Sequence, residues 1–509
     1  MRTSLAIFLF LTVTSAQAQS SSYWLLLTDK RPADAPALSP AALTYRATAQ
    51  LAIDDTDRPI SAAYLTQLAQ LGVQVRCRSR WLNAVSAPLT PAQREQVSRL
   101  PFVRDIRPID PSVVVMSRPA VRIEQGKLAP VMTQIQAAAF ALENLTGRFV
   151  QIGVIDAGFF GADSAAVLKP IAARGGFRQI RDYVNRSKTQ NDLFRTLETM
   201  SDMHGTEVLA AIGGYDPIGN LQLGLGYDAT FYLARTDAGN REFRGEEDNW
   251  VQAIEWLDSL GVRLVNTSLG YAKGFSNPTE NYQPSQMDGH TSLISRAAQI
   301  AADKKGMLII VAAGNEGDDR SWRIISTPAD AEGVMAVGAT NSRLWNRIGY
   351  SSIGPEALPY LKPNVSVFSL YGTSLAAPVI TGFAACLMQA NPKLTNRQLR
   401  ELIEKSSHLY PYGNNYVGYG VPLATRALAL LHGQQLPETA RELRATGKQI
   451  IIPVPRAEQT VSVFHKKDAT HVLSQEAVRV NKGQIILHHQ PGEHYTTVDL
   501  KTEVIEVIW

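Results

Sequence analysis

Between residues 131 and 432, short and almost wholly apolar runs alternate with stretches of helical spacing, and this alternation limits the fold more than any other feature of the chain. Phe149 to Ile155, Phe231 to Ala234, Arg263 to Asn266 and Met307 to Ala312 read as strands. The stretch from Val208 onward, Trp250 to Leu260 and Leu293 to Lys304 read as helices, the last two closed by Gly261 and Gly306. A strand that is apolar on both faces has to be covered on both faces, and strands joined through helices run parallel. The expectation is an α/β domain with a mostly parallel sheet and helices on both faces.

The flanking stretches differ in pattern. Over residues 22–110 the order reads β-α-β-β-α-β: strands at Tyr23–Leu27, Val73–Val75, Trp81–Ser86 and Phe102–Ile109, with helices over Ile60–Leu71 and from Thr90-Pro91, where Thr caps and Pro takes the first helical position. After about residue 436, Lys448–Val454, Thr460–His465, Ala477–Val480, Gln484–His489 and Val498–Trp509 favour strands separated by turn signals. At the start, Arg2 precedes the apolar run Leu5–Val13, and Ala16-Gln17-Ala18 offers small residues for cleavage, so residues 1–18 read as a secretory signal. The expected organisation is a signal peptide (1–18), a small α+β domain (19–115), a linker (116–130), the α/β domain (131–432) and a small all-β domain (436–509). The product is expected to be secreted, extracellular or, in a bacterium, periplasmic or on the outer surface. No later apolar run reads as a membrane span.

Composition removes several classes. With 45% apolar and 19% charged residues the chain is neither disordered nor of low complexity. Lys+Arg 50 against Asp+Glu 46 gives 50 − 46 = +4, spread along the chain, which is no footprint for nucleic acid. Two cysteines, Cys77 and Cys386, fall in different domains and make no disulfide scaffold.

Four short segments carry chemistry. Val154-Ile155-Asp156-Ala157-Gly158 puts an acid at the carboxyl end of an apolar strand, where functional groups gather in open α/β sheets. Asp202-Met203-His204-Gly205-Thr206 places an imidazole, the natural general base near neutral pH, at the start of a helix. Ile309 to Gly317 ends a buried strand in small residues followed by Asn315, whose amide NH2 can donate to a developing oxyanion. Gly372-Thr373-Ser374-Leu375-Ala376-Ala377-Pro378 places Ser374 at a helix N-terminus, where free N–H groups favour negative charge. Each segment alone also has a plain structural reading: a turn-capping Asp, a surface His, an Asn tolerated in a left-handed turn, a helix-capping Ser.

Taken together, in the order Asp, His, Asn, Ser, these segments closely resemble those of subtilisin-like serine peptidases, over about residues 131–432. Val265 to Gly270, Val334 to Thr340 and Tyr350 to Pro355 match further landmarks of that family, and the β-α-β-β-α-β unit resembles its inhibitory propeptide. The resemblance implies an endopeptidase made as a zymogen. Ser374 would be the nucleophile, His204 the base, Asp156 the orienting acid, and Asn315 with the Ser374 N–H the oxyanion hole. Ser268, Leu269 and Gly270 would bind an extended polypeptide substrate, with Gly270 allowing its close approach. Ala312, Ala313 and Gly314 would wall the pocket for the residue before the scissile bond, and Glu316 would stand at its rim, mildly favouring a basic or polar side chain. The propeptide would act as an intramolecular inhibitor. The chemistry requires no metal or other cofactor. The family often carries structural calcium, and no ligand set for it is matched here.

Several residues depart from the family pattern. Ala157 stands where Ser or Thr is usual and cannot donate a hydrogen bond to the carboxylate. Leu375 replaces a frequent Met, Asn364 replaces a common Asp, and the stretch from Asn364 to Gly372 is short. Asn266-Thr267-Ser268 matches a glycosylation sequon inside the expected substrate strand, and His488, His489 and His494 have no standard metal-ligand spacing. Two rival functions use the same fold: a catalytically silent binding protein, and an esterase or transacylase. A fluorophosphonate probe separates the first, and comparing ester with peptide substrates separates the second.

Overall fold

The computed structural model describes residues 20–32, 34–109, 129–185, 189–238, 245–273, 281–454 and 460–509. The signal segment 1–18 and most of the expected linker lie outside them. The amino-terminal unit is a four-stranded antiparallel sheet of β1 (Ser21–Leu27), β2 (Cys77–Ser79), β3 (Ala84–Leu89) and β4 (Val103–Ile109), in the order β2-β3-β1-β4. Its helices are α1 (Pro40–Thr48), α2 (Ala62–Gln70) and α3 (Pro91–Ser98). Two expectations shift here. Val73–Val75 is not a strand; pairing starts at Cys77. Trp81 to Asn83 form the turn before β3, with Asn83 in a left-handed conformation at φ 47°, which Asn tolerates better than most residues. The helix α1 has no counterpart in the predicted pattern, although Ser39 caps it and Pro40 opens it.

The central sheet has seven strands among the described residues: β5 (Gln151–Asp156), β6 (Phe177–Asp182), β7 (Thr230–Arg235), β8 (Leu264–Thr267), β9 (Leu308–Ala312), β10 (Met335–Thr340) and β11 (Val365–Phe368). They lie in the order β11-β10-β9-β8-β5-β7-β6, and every pairing is parallel. Phe149, expected inside β5, precedes it at φ 68° with its ring 91% exposed. On one face Ile152 and Val154 pack with Val208 and Leu209 of α4 (His204–Gly213) and with Ile380 and Phe383 of α7 (Ala377–Ala390). On the other, Ile155, Val265 and Ile309 pack with Trp250, Ile254 and Leu257 of α5 (Gly245–Leu260) and Ala298 of α6 (Leu293–Lys305). This two-sided burial is why the strands carry so few polar residues. The segment Thr373–Ala390 is long and apolar enough to cross a membrane by composition, contrary to the sequence expectation, but 83% of it is buried in this core.

The amino-terminal sheet uses both faces. Leu25, Leu27 and Val85 pack on Leu68 of α2 and Val97 of α3, while Trp24, Leu26, Trp81 and Leu82 join the cluster around α5 and α6. Buried charges cross the same boundary. Arg46 of α1 pairs with Asp258 at 2.7 Å and with Asp57 at 3.2 Å, Lys305 pairs with Asp57 at 2.8 Å, and Arg80 pairs with Asp258 at 2.7 Å. The Glu255 carboxylate of α5 accepts from Ser79 Oγ (2.6 Å) and from the main-chain N–H groups of Arg80 (3.0 Å) and Trp81 (3.1 Å).

At the other end, β12 (Ala440–Arg444), β14 (Thr460–Lys466), β15 (Val472–Arg479), β17 (Tyr495–Asp499) and β18 (Val504–Ile508) form a sheet in the order β12-β18-β17-β14-β15, beside an antiparallel pair of β13 (Gln449–Pro453) and β16 (Gln484–His488). Phe464 and Val504 pack on Leu409, Tyr416 and Val417 of the α/β unit, and buried His408 Nε2 meets Asp499 at 3.1 Å. His465 lies between Glu493 (2.7 Å) and Glu476 (3.0 Å), and although burial opposes its charge, these two carboxylates raise its pKa above the ordinary imidazole value.

Removing one partner of a buried, hydrogen-bonded charge leaves the rest uncompensated. Glu255→Ala is therefore expected to destabilise the full chain by about 3–5 kcal/mol, read as a lower denaturation midpoint.

Candidate active site

The carboxyl edge of the parallel sheet gathers four of the segments picked out in the sequence. Asp156 is the last residue of β5 and is fully buried. His204 opens α4, and its Nδ1 lies 2.7 Å from Asp156 Oδ1. A carboxylate facing Nδ1 fixes the proton there and leaves Nε2 free as an acceptor. Burial alone would lower the His204 pKa, but the charge and hydrogen bond of Asp156 outweigh it, so the pKa is raised. Asp156 Oδ1 also accepts the Ala157 N–H at 2.8 Å, whereas buried Oδ2 meets no hydrogen-bond partner among the described residues. Ala157, next in the chain, carries no side-chain donor.

Ser374 lies in the tight turn Thr373–Leu375 that leads into α7. Its Oγ donates to the Ser268 carbonyl at 3.2 Å, and Ser268 Oγ donates to the Ser374 carbonyl at 2.8 Å. Further back, Asn266 Nδ2 donates to Ser268 Oγ (3.1 Å) and Thr381 Oγ1 to Asn266 Oδ1 (2.9 Å), which ties β8 to α7. Asn266 is fully buried, so the sequon is not accessible in the folded chain. The hydroxyl of Ser374 is thus turned to a carbonyl rather than bonded to His204, although both residues line one cleft.

Asn315 Oδ1 accepts the main-chain N–H of Thr373 (2.9 Å) and its hydroxyl (3.1 Å). A main-chain N–H can only donate, so this contact fixes which end of the amide is oxygen and leaves Nδ2 as the donor end of a residue that lines the cleft. Gly372, at φ 112°, adopts a backbone shape that favours glycine, and a Cβ there would stand 3.3 Å from Asn315 Nδ2. Thr373 is a residue that sequence reasoning did not assign, although it lies within the recognised Gly-Thr-Ser segment.

Ser268, Leu269 and Gly270 continue the line of β8 past its last paired residue, and the main-chain groups of Leu269 and Gly270 have no hydrogen-bond partner among the described residues. Gly270 faces Ser326, whose Cβ a methyl there would approach to 3.2 Å. These three residues, Ala312, Gly314 and Glu316 line the same cleft as His204, Asn315 and Ser374. Ala313 does not; it is fully buried in the core cluster beneath. Glu316 is turned inward, with Oε2 accepting the Asn315 N–H at 2.9 Å, and burial raises its pKa. Lys273, unassigned from sequence, also lines the cleft and pairs with Asp319. Glu207, one turn along α4 from His204, is buried, and burial lifts its pKa to about 7. Asn364 holds Ala336 N–H (2.8 Å) through its oxygen and Glu404 (2.8 Å) through its nitrogen, a pair of contacts that Asp could not make. Among the described residues no group of three or more His, Cys, Asp or Glu side chains is placed to hold a metal ion.

An acid–imidazole pair and a serine on one cleft, with an amide donor beside them and an unpaired extended segment alongside, is an arrangement suited to acyl transfer from an extended chain. The subtilase family model matches residues 147–420, more than half of the chain, and a peptidase S8 propeptide domain described for Bacteroidota matches residues 22–122. The chain belongs to the subtilase family, as a serine endopeptidase that carries a propeptide domain. It is 27% identical over 368 residues to Subtilisin NAT of Bacillus subtilis subsp. natto, covering 70% of this chain and 83% of that protein. Subtilisin DY of Bacillus licheniformis is 29% identical over 285 residues, covering 54% and 89%. Among solved structures, MycP1 with its N-terminal propeptide removed is 21% identical with a TM-score of 0.43, covering 59% of this chain and 96% of that one. The MycP3 protease of the type VII (ESX-3) secretion system is 19% identical with a TM-score of 0.45, covering 63% and 92%.

A buried charged acceptor without a donor costs about 1–3 kcal/mol. Ala157→Ser, which offers Asp156 Oδ2 a hydroxyl, is expected to raise the thermal midpoint of the chain in calorimetry.

Proposed function

We propose that the protein is an exported zymogen whose mature form hydrolyses peptide bonds through Asp156, His204 and Ser374. The 2.7 Å contact between His204 and Asp156, in a cleft shared with Ser374, is the observation that supports it most. Ser374 Oγ leaves the Ser268 carbonyl by rotation about its Cα–Cβ bond and attacks the substrate carbonyl carbon. His204 Nε2 takes the hydroxyl proton, then returns it to the leaving amine nitrogen. Asp156 holds the proton on Nδ1 and stabilises the imidazolium. The tetrahedral oxyanion is met by Asn315 Nδ2 and the Ser374 N–H. Water then attacks the acyl-enzyme with His204 again as base, which releases the carboxylate product and restores Ser374.

The substrate backbone adds a strand beside Ser268–Gly270. Because Glu316 is held inward by the Asn315 N–H, its charge contributes to the pocket chiefly above its raised pKa. The propeptide domain, which packs on α5 and α6, acts as an inhibitor within the same chain until it is removed. Export rests on the apolar leader and on the exported character of the subtilisin family. No metal is assigned a role in catalysis.

Two outcomes check this reading. Ser374→Ala should lose about 10⁶ in kcat, and Asn315→Ala about 10²–10³, the costs known for the same changes in subtilisin. A fluorophosphonate should label the wild type and not Ser374→Ala; undiminished turnover by that variant rejects the assignment. The pH profile carries a sign as well. His204 must be neutral to accept the proton, and its pKa is raised above 6.5, so the acid limb of kcat/KM should fall above that value. Asp156→Asn should remove that elevation along with most of the rate.

A further inference from the structure

The most deeply buried cation at the carboxyl edge of the sheet belongs to Arg235, the last residue of β7, which is 1% exposed and pairs in register with Asp156. Its Nε–H donates to the Ala157 carbonyl at 3.0 Å. Its Nη1 donates to Asp182 Oδ2 at 3.3 Å, and its Nη2 forms an ion pair with Asp202 Oδ1 at 2.8 Å without the alignment of a hydrogen bond; those two side chains are only 2% and 1% exposed. The guanidinium therefore touches the residue after Asp156 and the residue two before His204 at once.

Each of these anchors is itself fixed. Asp202 Oδ2 accepts the N–H groups of Glu198 (2.8 Å) and Thr199 (2.9 Å), which shapes the turn that enters α4. The two segments are also laced together directly: Phe160 N–H donates to the Asp202 carbonyl (2.7 Å), Gly205 N–H to the Gly158 carbonyl (2.9 Å), and Thr206 Oγ1 to the Phe160 carbonyl (2.8 Å). The contact is close enough that a Cβ on Gly158 would stand 2.5 Å from Asp202 Cα.

We propose that Arg235 is a positioning residue for the catalytic pair: by bridging the Ala157 carbonyl and the Asp202 carboxylate, it sets the separation between Asp156 and His204. It touches neither substrate nor reacting atoms, and its role rests on the reading that these two residues act together in catalysis. Stability alone does not account for the arrangement, because a buried ion cluster can often be exchanged for apolar or neutral groups of similar size without loss. The planar fork of Arg, unlike the point charge of Lys, donates in fixed relative directions to the Ala157 carbonyl and the Asp182 carboxylate while its charge faces Asp202. Neither Ser268–Gly270 nor the walls of the cleft are held by Arg235, so substrate binding and chemistry should respond differently to its loss.

The test uses the full chain, matured as the wild type is, with kcat and KM expressed per folded molecule and the ¹H NMR resonance of the His204 Nδ1 proton followed in parallel. Arg235→Met should lower kcat about a hundredfold, the scale of a misplacement of roughly 1 Å, while KM stays within about twofold. The Nδ1 resonance should move from its wild-type position. Arg235→Lys, which restores the charge but not the fork, should recover about tenfold of the loss. If Arg235→Met does not fold, the triple variant Arg235→Met/Asp182→Asn/Asp202→Asn neutralises the cluster and should show the same split. A folded variant with wild-type kcat, an equal loss in binding and turnover, or an unmoved resonance each overturns the proposal. Absence of wild-type turnover would instead overturn the proteolytic reading, and the resonance alone would then decide the role of Arg235.

Discussion

A parallel sheet buried on both faces ends all its strands on one edge, and that edge is where polar groups can leave the core without being stranded inside it. Asp156 at the end of β5, Ser268–Gly270 just beyond β8, and Ala312 to Asn315 at and just beyond the end of β9 share it. Into the same edge run the first turn of α4, with His204, and the turn before α7, with Ser374. The 2.7 Å contact between imidazole and carboxylate exists only because two loops remote in sequence are brought together there. Hydrogen bonds between fixed main-chain groups then hold the arrangement with little freedom left to lose.

The site differs from a minimal acid–base–nucleophile set in how its parts are braced. Thr373 orients the Asn315 amide, Ser268 and Asn266 tie the Ser374 turn to the segment after β8, and Arg235 contacts the two segments that carry Asp156 and His204. One position runs against this completeness: Asp156 Oδ2 lacks a donor where Ala157 offers a methyl. The propeptide boundary is braced differently, by apolar side chains around Trp81 together with buried ion pairs between the two units. Three of the acids on that boundary, Asp248, Glu255 and Asp258, belong to α5.

Much of this was legible because it is written locally. Apolar runs with a strand's length gave β5 and β7 to β9, helical spacing closed by glycine gave α5 and α6, and the small-residue segments around Asp156, His204, Asn315 and Ser374 marked residues that the fold gathers at one edge of the sheet. The failures are equally local in kind. Val73 and Val75 alternate like a strand but have no partner in the sheet. Trp81 and Leu82 look like strand residues because they are apolar, yet they form a turn that caps Glu255 and packs on α5. Ala313 shares a strand end with Ala312 but faces the other way, as the two-residue period of an extended chain requires.

The sequence by itself determined the strand–helix alternation around the site, the chemical types at the cleft and the family to which they belong, because periodicity and short motifs depend on neighbours along the chain. Tertiary structure alone decided which groups pair: that Arg235 meets Asp202 and Asp182, that Glu255 is shared with the propeptide, that Ser374 rests on the Ser268 carbonyl, and that Oδ2 of Asp156 is left without a donor. Those facts concern buried polar atoms brought together from distant parts of the chain. Their partners are chosen by packing geometry, which no local pattern encodes.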